Sequence, residues 1–177
     1  MLPLLPPIRL ELKAWGSRWG DAGFGPGGQL LVSNRLRDLF VEAGLVGFTR
    51  FDLVEIVKAR GRKTKVGRPL DYLLASIQHS RSRIDDLASG LVRDEPPTCE
   101  ECRSTGIRRA DRIVLEANTW SGEDVFYARG LPGTILVSER FKRLCEDHDL
   151  ANCCLVAAED YHFDFYPHER PTPPTLH

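Results

Sequence analysis

Apolar residues recur along this chain at helical spacing in two places. Leu36, Leu39, Phe40 and Ala43 fall at i, i+3, i+4 and i+7, which is one face of an α-helix. Phe141, Leu144, Cys145 and His148 repeat that spacing. Ser33 and Ser138 stand immediately ahead of these runs, where a hydroxyl accepts from an early helical N–H and starts the helix. Gly44 follows the first run in the position that favours a left-handed residue, and Asp149 takes that place after the second. A short apolar strand precedes each serine, at 30–32 and 135–137. Before each strand come a Gly-rich turn region and an extended segment, 8–15 or 113–120. A return strand follows from Leu45 or Leu150, and FDLVEIVK (51–58) is its clearest example.

The two blocks are related by a shift of 105 positions. Ile8, Leu10, Glu11 and Trp15 fall on Ile113, Leu115, Glu116 and Trp120. Leu31, Val32, Ser33, Arg35, Leu39 and Leu45 fall on Leu136, Val137, Ser138, Arg140, Leu144 and Leu150. GDAGF (20–24) resembles GEDVF (122–126) with a further displacement of three. The pattern predicts an α+β protein of two tandem β-β-α-β repeat units joined by a central segment carrying one CxxC. The units are residues 1–60 and 113–166, with the central segment at 61–112 and a Pro-rich disordered tail at 167–177. Each helix needs a sheet to cover its apolar face. Within the central segment, PLDYLLASI (69–77) reads equally as strand or helix. RIDDLASGL (83–91) has weak helical spacing, and ARGRKTKVGR (59–68) is a basic loop.

Composition narrows the function classes. A chain of 177 residues with 42% hydrophobic and 28% charged residues is one globular domain or two small ones. Its formal charge of -1 excludes a globally basic nucleic-acid binder. The charge is uneven: residues 1–70 carry 12 Lys/Arg against 6 Asp/Glu, and the remainder 12 against 19. No charged leader region precedes an apolar run at the start, and no stretch approaches a membrane span of ~20 apolar residues, so a cytoplasmic location is expected. Five unevenly spaced cysteines are a poor disulfide framework.

The sharpest chemical signal is Cys99-Glu-Glu-Cys102, directly after Pro96-Pro97. A CxxC on a turn supplies two thiolates to one zinc ion, and a closed structural site needs two more ligands. Shifting the pair back by 105 lands just ahead of Met1, which leaves open whether an equivalent CxxC was lost or lies upstream. At these residues the chain resembles the double-CxxCG-motif immunity proteins of myxobacterial swarming-inhibition toxin systems. The resemblance is carried by LELKAW with GDAGFGPGGQLLVS, by PPTCEECRSTG, and by VLEANTWSGEDVFYARGLPGTILVSERFKRL, and it runs over about residues 8–166. The chain departs from the family in lacking a first CxxCG and in carrying Arg103 where the second has glycine. The resemblance implies a non-catalytic protein that binds and neutralises a cognate toxin domain, with Cys99 and Cys102 as metal ligands and zinc as the ion.

The other constellations read more plainly. Cys145 and His148 occupy repeat positions of the core, as do Trp15 and Trp120. Gly23-x-Gly25-x-x-Gly28 runs into a strand, whereas a dinucleotide site requires a helix there. Glu123 and Asp124 form one acidic candidate surface for a basic toxin, and Asp160, Tyr161, Asp164 and Tyr166 another. Trp19 has no partner in the second block and is a candidate contact of its own. The alternative function is a small zinc-ribbon-like nucleic-acid-binding module using the basic residues 60–68 with Arg108, Arg109 and Arg112.

Overall fold

The computed structural model describes residues 7–14, 18–61 and 69–165. The protein is mixed α+β, with a core built mainly on sheet and two short helices. In chain order the elements are β1 (Ile8–Ala14), β2 (Ala22–Phe24), β3 (Leu30–Ser33), α1 (Asn34–Glu42), β4 (Phe48–Gly61) and β5 (Tyr72–Arg83). They continue with β6 (Val92–Arg93), β7 (Ile107–Ala110), β8 (Val125–Arg129), β9 (Ile135–Val137), α2 (Glu139–Asp147) and β10 (Phe163–Asp164). The chain divides into two compact units, neither of them a contiguous stretch. The first comprises Met1–Ser80, Gly122–Tyr127 and Gly133–Leu155, and the second Arg81–Ser121, Ala128–Pro132 and Val156–His177.

The first unit is organised on a sheet ordered β1-β4-β5-β3-β2, with β8 pairing β5 and β9. β1 runs parallel to β4, and β2, β3, β4 and β5 pair antiparallel along this path. β5 is the central strand, and Tyr72, Leu73, Leu74 and Ala75 are all buried because both of its faces are covered. A strand buried on both faces reads as a continuous apolar run, which is why 69–77 showed no period. Alternate residues of β3 and β5 serve opposite faces. Val32, Leu73, Ala75 and Ile77 join Leu36, Phe40, Leu45, Val125, Phe141, Leu144, Cys145 and Leu150 in the main core. Leu31, Tyr72 and Leu74 join Ile8 in a second cluster. Phe40 stacks obliquely on Phe48 at 4.6 Å and meets Phe141 edge-on at 6.2 Å, so both helices anchor in the same core.

Both helices start and stop as their sequences require. The Ser33 hydroxyl accepts from the Leu36 N–H at 3.1 Å, and the Ser138 hydroxyl from the Phe141 N–H at 3.2 Å. Leu36 and Phe40 are the buried face of α1, and Phe141, Leu144 and Cys145 that of α2. Ala43 and His148 are C-cap residues and are exposed, so His148 is not the core position that the spacing suggested. The chain then turns through left-handed residues, Gly44 at φ 61 and Asp149 at φ 47.

The hairpin-plus-helix, β2-β3-α1 and β8-β9-α2, occurs twice, but the strands expected around it do not. Residues 113–120 form only an isolated bridge between Leu115 and Ile84, and Trp120 is 51% exposed. No strand follows α2 within 148–162. The sequence there, CCLVAAED, lacks the alternation of β4, and Leu155 and Val156 lie exposed. Gly23 lies in β2, and Gly25 and Gly28 lie in the connection to β3, which turns through Pro26–Gly28.

In the second unit β10, β7 and β6 form a small antiparallel sheet. The weak helical spacing of 83–91 does not make a helix: Arg83 ends β5, and the residues after Ile84 make a hydrogen-bonded turn. The Asp85 carboxylate accepts from the Ala88 N–H at 2.9 Å, and Gly90 at φ 58 ends the turn before a second can form.

Candidate functional site

Two buried aspartates hold the first unit together by the same set of bonds. Asp21, 3% exposed, accepts from the Ser33 hydroxyl at 2.7 Å and from the Ala151 N–H at 2.8 Å. Its own N–H donates to the Ala151 carbonyl at 2.7 Å. Arg35 approaches the same carboxylate at 3.5 Å and donates to the His148 carbonyl. Asp124, 1% exposed, accepts from the Ser138 hydroxyl at 2.6 Å and from the Val46 N–H at 2.9 Å. Its N–H donates to the Val46 carbonyl at 2.7 Å. Arg140 lies 3.2 Å from that carboxylate and donates to the Ala43 and Gly44 carbonyls. Each aspartate therefore caps through its own serine and grips the chain leaving the other helix. Charged and neutral donors surround each carboxylate, which offsets the cost of burying it.

This geometry corrects the acidic surface proposed at Glu123 and Asp124. Asp124 is committed to the grip, and Glu123, 6% exposed, accepts from the Ser80 hydroxyl at 2.9 Å. It also corrects the alignment of the two blocks. Asp21 matches Asp124, not Glu123, since the aspartate precedes its serine by 12 residues in one copy and 14 in the other. Sequence reasoning missed Asp21, Arg35 and Arg140 as partners. The repeated arginine, 35 and 140, was the available signal, and the one-residue misalignment hid the aspartates.

Tyr72 closes one side of this region, donating to the Gly20 carbonyl at 2.7 Å. Burial, with the Asp21 charge as a second cause, pushes its phenol up to about 12.

The cysteine pair lies in the second unit, and both thiols are exposed. A turn carries them: the Arg103 N–H donates to the Cys99 carbonyl at 2.9 Å, and the Cys102 N–H points at the Cys99 sulfur at 3.5 Å. The Ser104 hydroxyl donates to the Cys102 sulfur at 3.4 Å. That bond, with further help from the Ser104 N–H and the Cys99 thiol, holds Cys102 down at about 7. Among the described residues no group of three or more His, Cys, Asp or Glu converges as a metal site. The pair by itself is thus two ligands short of a closed zinc site, and it does not fit that ion as a complete cage.

Arg103 sits at φ 48, a backbone conformation glycine adopts without cost. Its side chain offsets that strain. It bridges Asp86 at 3.2 Å and Glu116 at 2.8 Å, and Arg93 and Arg83 extend the chain of ion pairs at 3.0 and 2.9 Å.

The other candidates are scattered. Trp19 is half-buried in the first unit. In the second unit Asp160 is exposed, Tyr161 is half-buried, and Asp164 is half-buried within β10. Tyr166, Trp15 and the basic residues 62–68 lie outside the described residues. Arg108 pairs with Asp94 at 3.5 Å and Arg109 with Asp111 at 3.1 Å, so neighbouring carboxylates offset the basic charge expected to meet nucleic acid. Cys145 is buried against Cys153, and that contact together with burial pushes its thiol up, as suits an inert core residue. Among the described residues no helix is long and apolar enough to cross a membrane.

No family model matches the chain, and no curated protein is significantly similar to it.

Proposed function

We propose that the chain is an immunity protein that binds a cognate toxin domain in the cytoplasm and blocks it stoichiometrically, without catalysis of its own. The support is the resemblance to the double-CxxCG immunity proteins together with one structural observation. The strings that carry the resemblance, GDAGF with LLVS and GEDVF with VSERF, supply Asp21 and Ser33 and then Asp124, Ser138 and Arg140. On this reading the two β-β-α-β units are copies of one ancestral element, and the second has lost its outer strands.

Asp124 and Glu123 are bonded inside the first unit, so on this reading the other acidic-aromatic stretch meets the toxin. Exposed Asp160, with Tyr161 and Asp164 near it in sequence, supplies acidic and aromatic groups suited to a basic toxin. Trp19 is a separate aromatic contact in the other unit.

The test is growth of a sensitive host expressing the toxin domain encoded beside this gene, with and without this chain, followed by co-purification. Rescue with a stable complex is the expected outcome, and a folded chain that neither rescues nor binds overturns the reading for that pair. Within a working pair, Asp160→Lys with Asp164→Lys should slow association about tenfold at low salt and less at high salt. An unchanged association rate would remove that surface.

A further inference from the structure

The Cys99–Cys102 turn has the geometry of a redox pair. Both sulfurs are open to solvent, while the backbone around them is held. The Arg103 N–H bonds the Cys99 carbonyl, and the Gly130 N–H bonds the Cys102 carbonyl at 3.0 Å. Arg103, next in the chain, is tied to Asp86, Glu116 and the Ile84 carbonyl. The turn folds back on its first cysteine, with the Cys102 N–H pointing at the Cys99 sulfur at 3.5 Å. A turn keeps its ends within about 7 Å at Cα, the range a disulfide spans.

We propose that Cys99 and Cys102 form a reversible intramolecular disulfide, a thiol-modification site separate from toxin binding. The oxidant is a low-molecular-weight disulfide such as oxidised glutathione. The Cys102 thiolate, which accepts from the Ser104 hydroxyl, attacks one sulfur of that disulfide. A mixed disulfide forms, and one glutathione leaves as a thiolate that takes up a proton. The Cys99 thiolate then attacks the Cys102 sulfur and expels the second glutathione. Two protein thiols lose two electrons and two protons, and oxidised glutathione gains them. Because the ring closes only a four-residue loop, it gains little from chain entropy, which keeps the bond reducible. In the oxidised form neither sulfur can ligate a metal.

The experiment uses the full chain, reduced and freed of reductant without air, then held in glutathione buffers of graded ratio. Samples are acid-quenched, alkylated and mapped by mass, with circular dichroism confirming that the fold persists. The expected result is a Cys99–Cys102 peptide lighter by two hydrogens, its population following a two-electron titration and reversing in reduced glutathione. Cys99→Ser should trap glutathione on Cys102, and Cys102→Ser should trap it on Cys99, with no ring closed in either. A wild-type chain that keeps glutathione on either cysteine without closing the ring overturns the proposal. So does one that closes it no more readily than exposed Cys154 is modified.

Discussion

At the scale of single residues, the chain commits ionisable groups to its interior and satisfies each one. Asp124 is the clearest case, with one hydroxyl, one backbone N–H and one guanidinium on a carboxylate that is 1% exposed. Asp124→Asn keeps the shape but removes the charge that Arg140 and Ser138 meet, and it should cost about 3 kcal/mol in urea unfolding. Asp21→Asn should cost a similar amount, whereas Arg140→Ala, at an arginine side chain 58% exposed, should cost under about 1 kcal/mol. Equal losses from both arginines and both aspartates would mean that the ion pairs, and not the neutral donors, hold the grip. Tyr72 makes a second prediction at this scale. Its folded pKa lies above its unfolded value, so the native state keeps the phenolic proton longer than the unfolded chain. The associated stability is fully present below pH about 10 and is lost as pH rises toward about 12, by on the order of 2 kcal/mol. Tyr72→Phe should flatten that part of the stability–pH curve, and a slope left unchanged would assign it to other groups.

At the scale of elements, the helices were legible because serine caps, apolar spacing and a left-handed stop agree with one another. β3, β4 and β9 were legible for the same reason. β5 was not, because burial on both faces erases the alternation by which a strand is known. The turn at 85–90 was misread because spacing alone cannot see Asp85 capping a single turn. The buried aspartates were illegible as well. Nothing local distinguishes a carboxylate that will be enclosed from one that will be solvated, and Asp124 reads as surface until Val46 and Ser138 close on it. The cysteine turn was legible as a motif, but its ion-pair anchor was not, since Asp86, Glu116 and Arg103 are separated in sequence. The helix stops give an element-scale prediction. Gly44 and Asp149 occupy equivalent left-handed positions, and the space beside Gly44 is open. Asp149→Gly should therefore stabilise the protein by about 0.5–1 kcal/mol, since the salt bridge it gives up to Arg18 is an exposed one. Gly44→Ala should cost about 1 kcal/mol through the same backbone preference. Gly47→Ala is different in kind. An added Cβ there would lie 2.0 Å from the Val125 carbonyl oxygen, so the substitution should prevent β8 from seating beside it. Thermal melts of the three variants should fall in that order, and an Asp149→Gly variant that melts lower would show that the Arg18 pair outweighs the backbone term.

At the scale of the whole molecule, the two hairpin–helix pieces do not stand as beads along the chain. Asp21 grips Ala151 beyond α2, Asp124 grips Val46 beyond α1, and Phe40 meets Phe141. The first unit is drawn from three separated stretches of the sequence. A fragment ending at residue 112 keeps Val32, Leu36, Phe40, Leu45, Leu73, Ala75 and Ile77 of the main core. It loses Val125, Phe141, Leu144, Cys145 and Leu150. At about 2 kcal/mol for each large apolar side chain, the loss is roughly 8–10 kcal/mol, comparable to the whole stability of about 5–15 kcal/mol of an ordinary domain. Asp21 would also lose its bond from the Ala151 N–H. Fragment 1–112 should therefore show no cooperative melt by circular dichroism. A chain cut instead at the exposed stretch around Glu95 and Pro96 should behave differently, because both pieces of the first unit remain in the tube. Fragments 1–95 and 96–177, refolded together, should co-elute and melt as one species, and neither should do so alone. A fragment 1–112 that melts cooperatively by itself would mean that each hairpin–helix piece folds independently and that the reciprocal grips are contacts formed after folding.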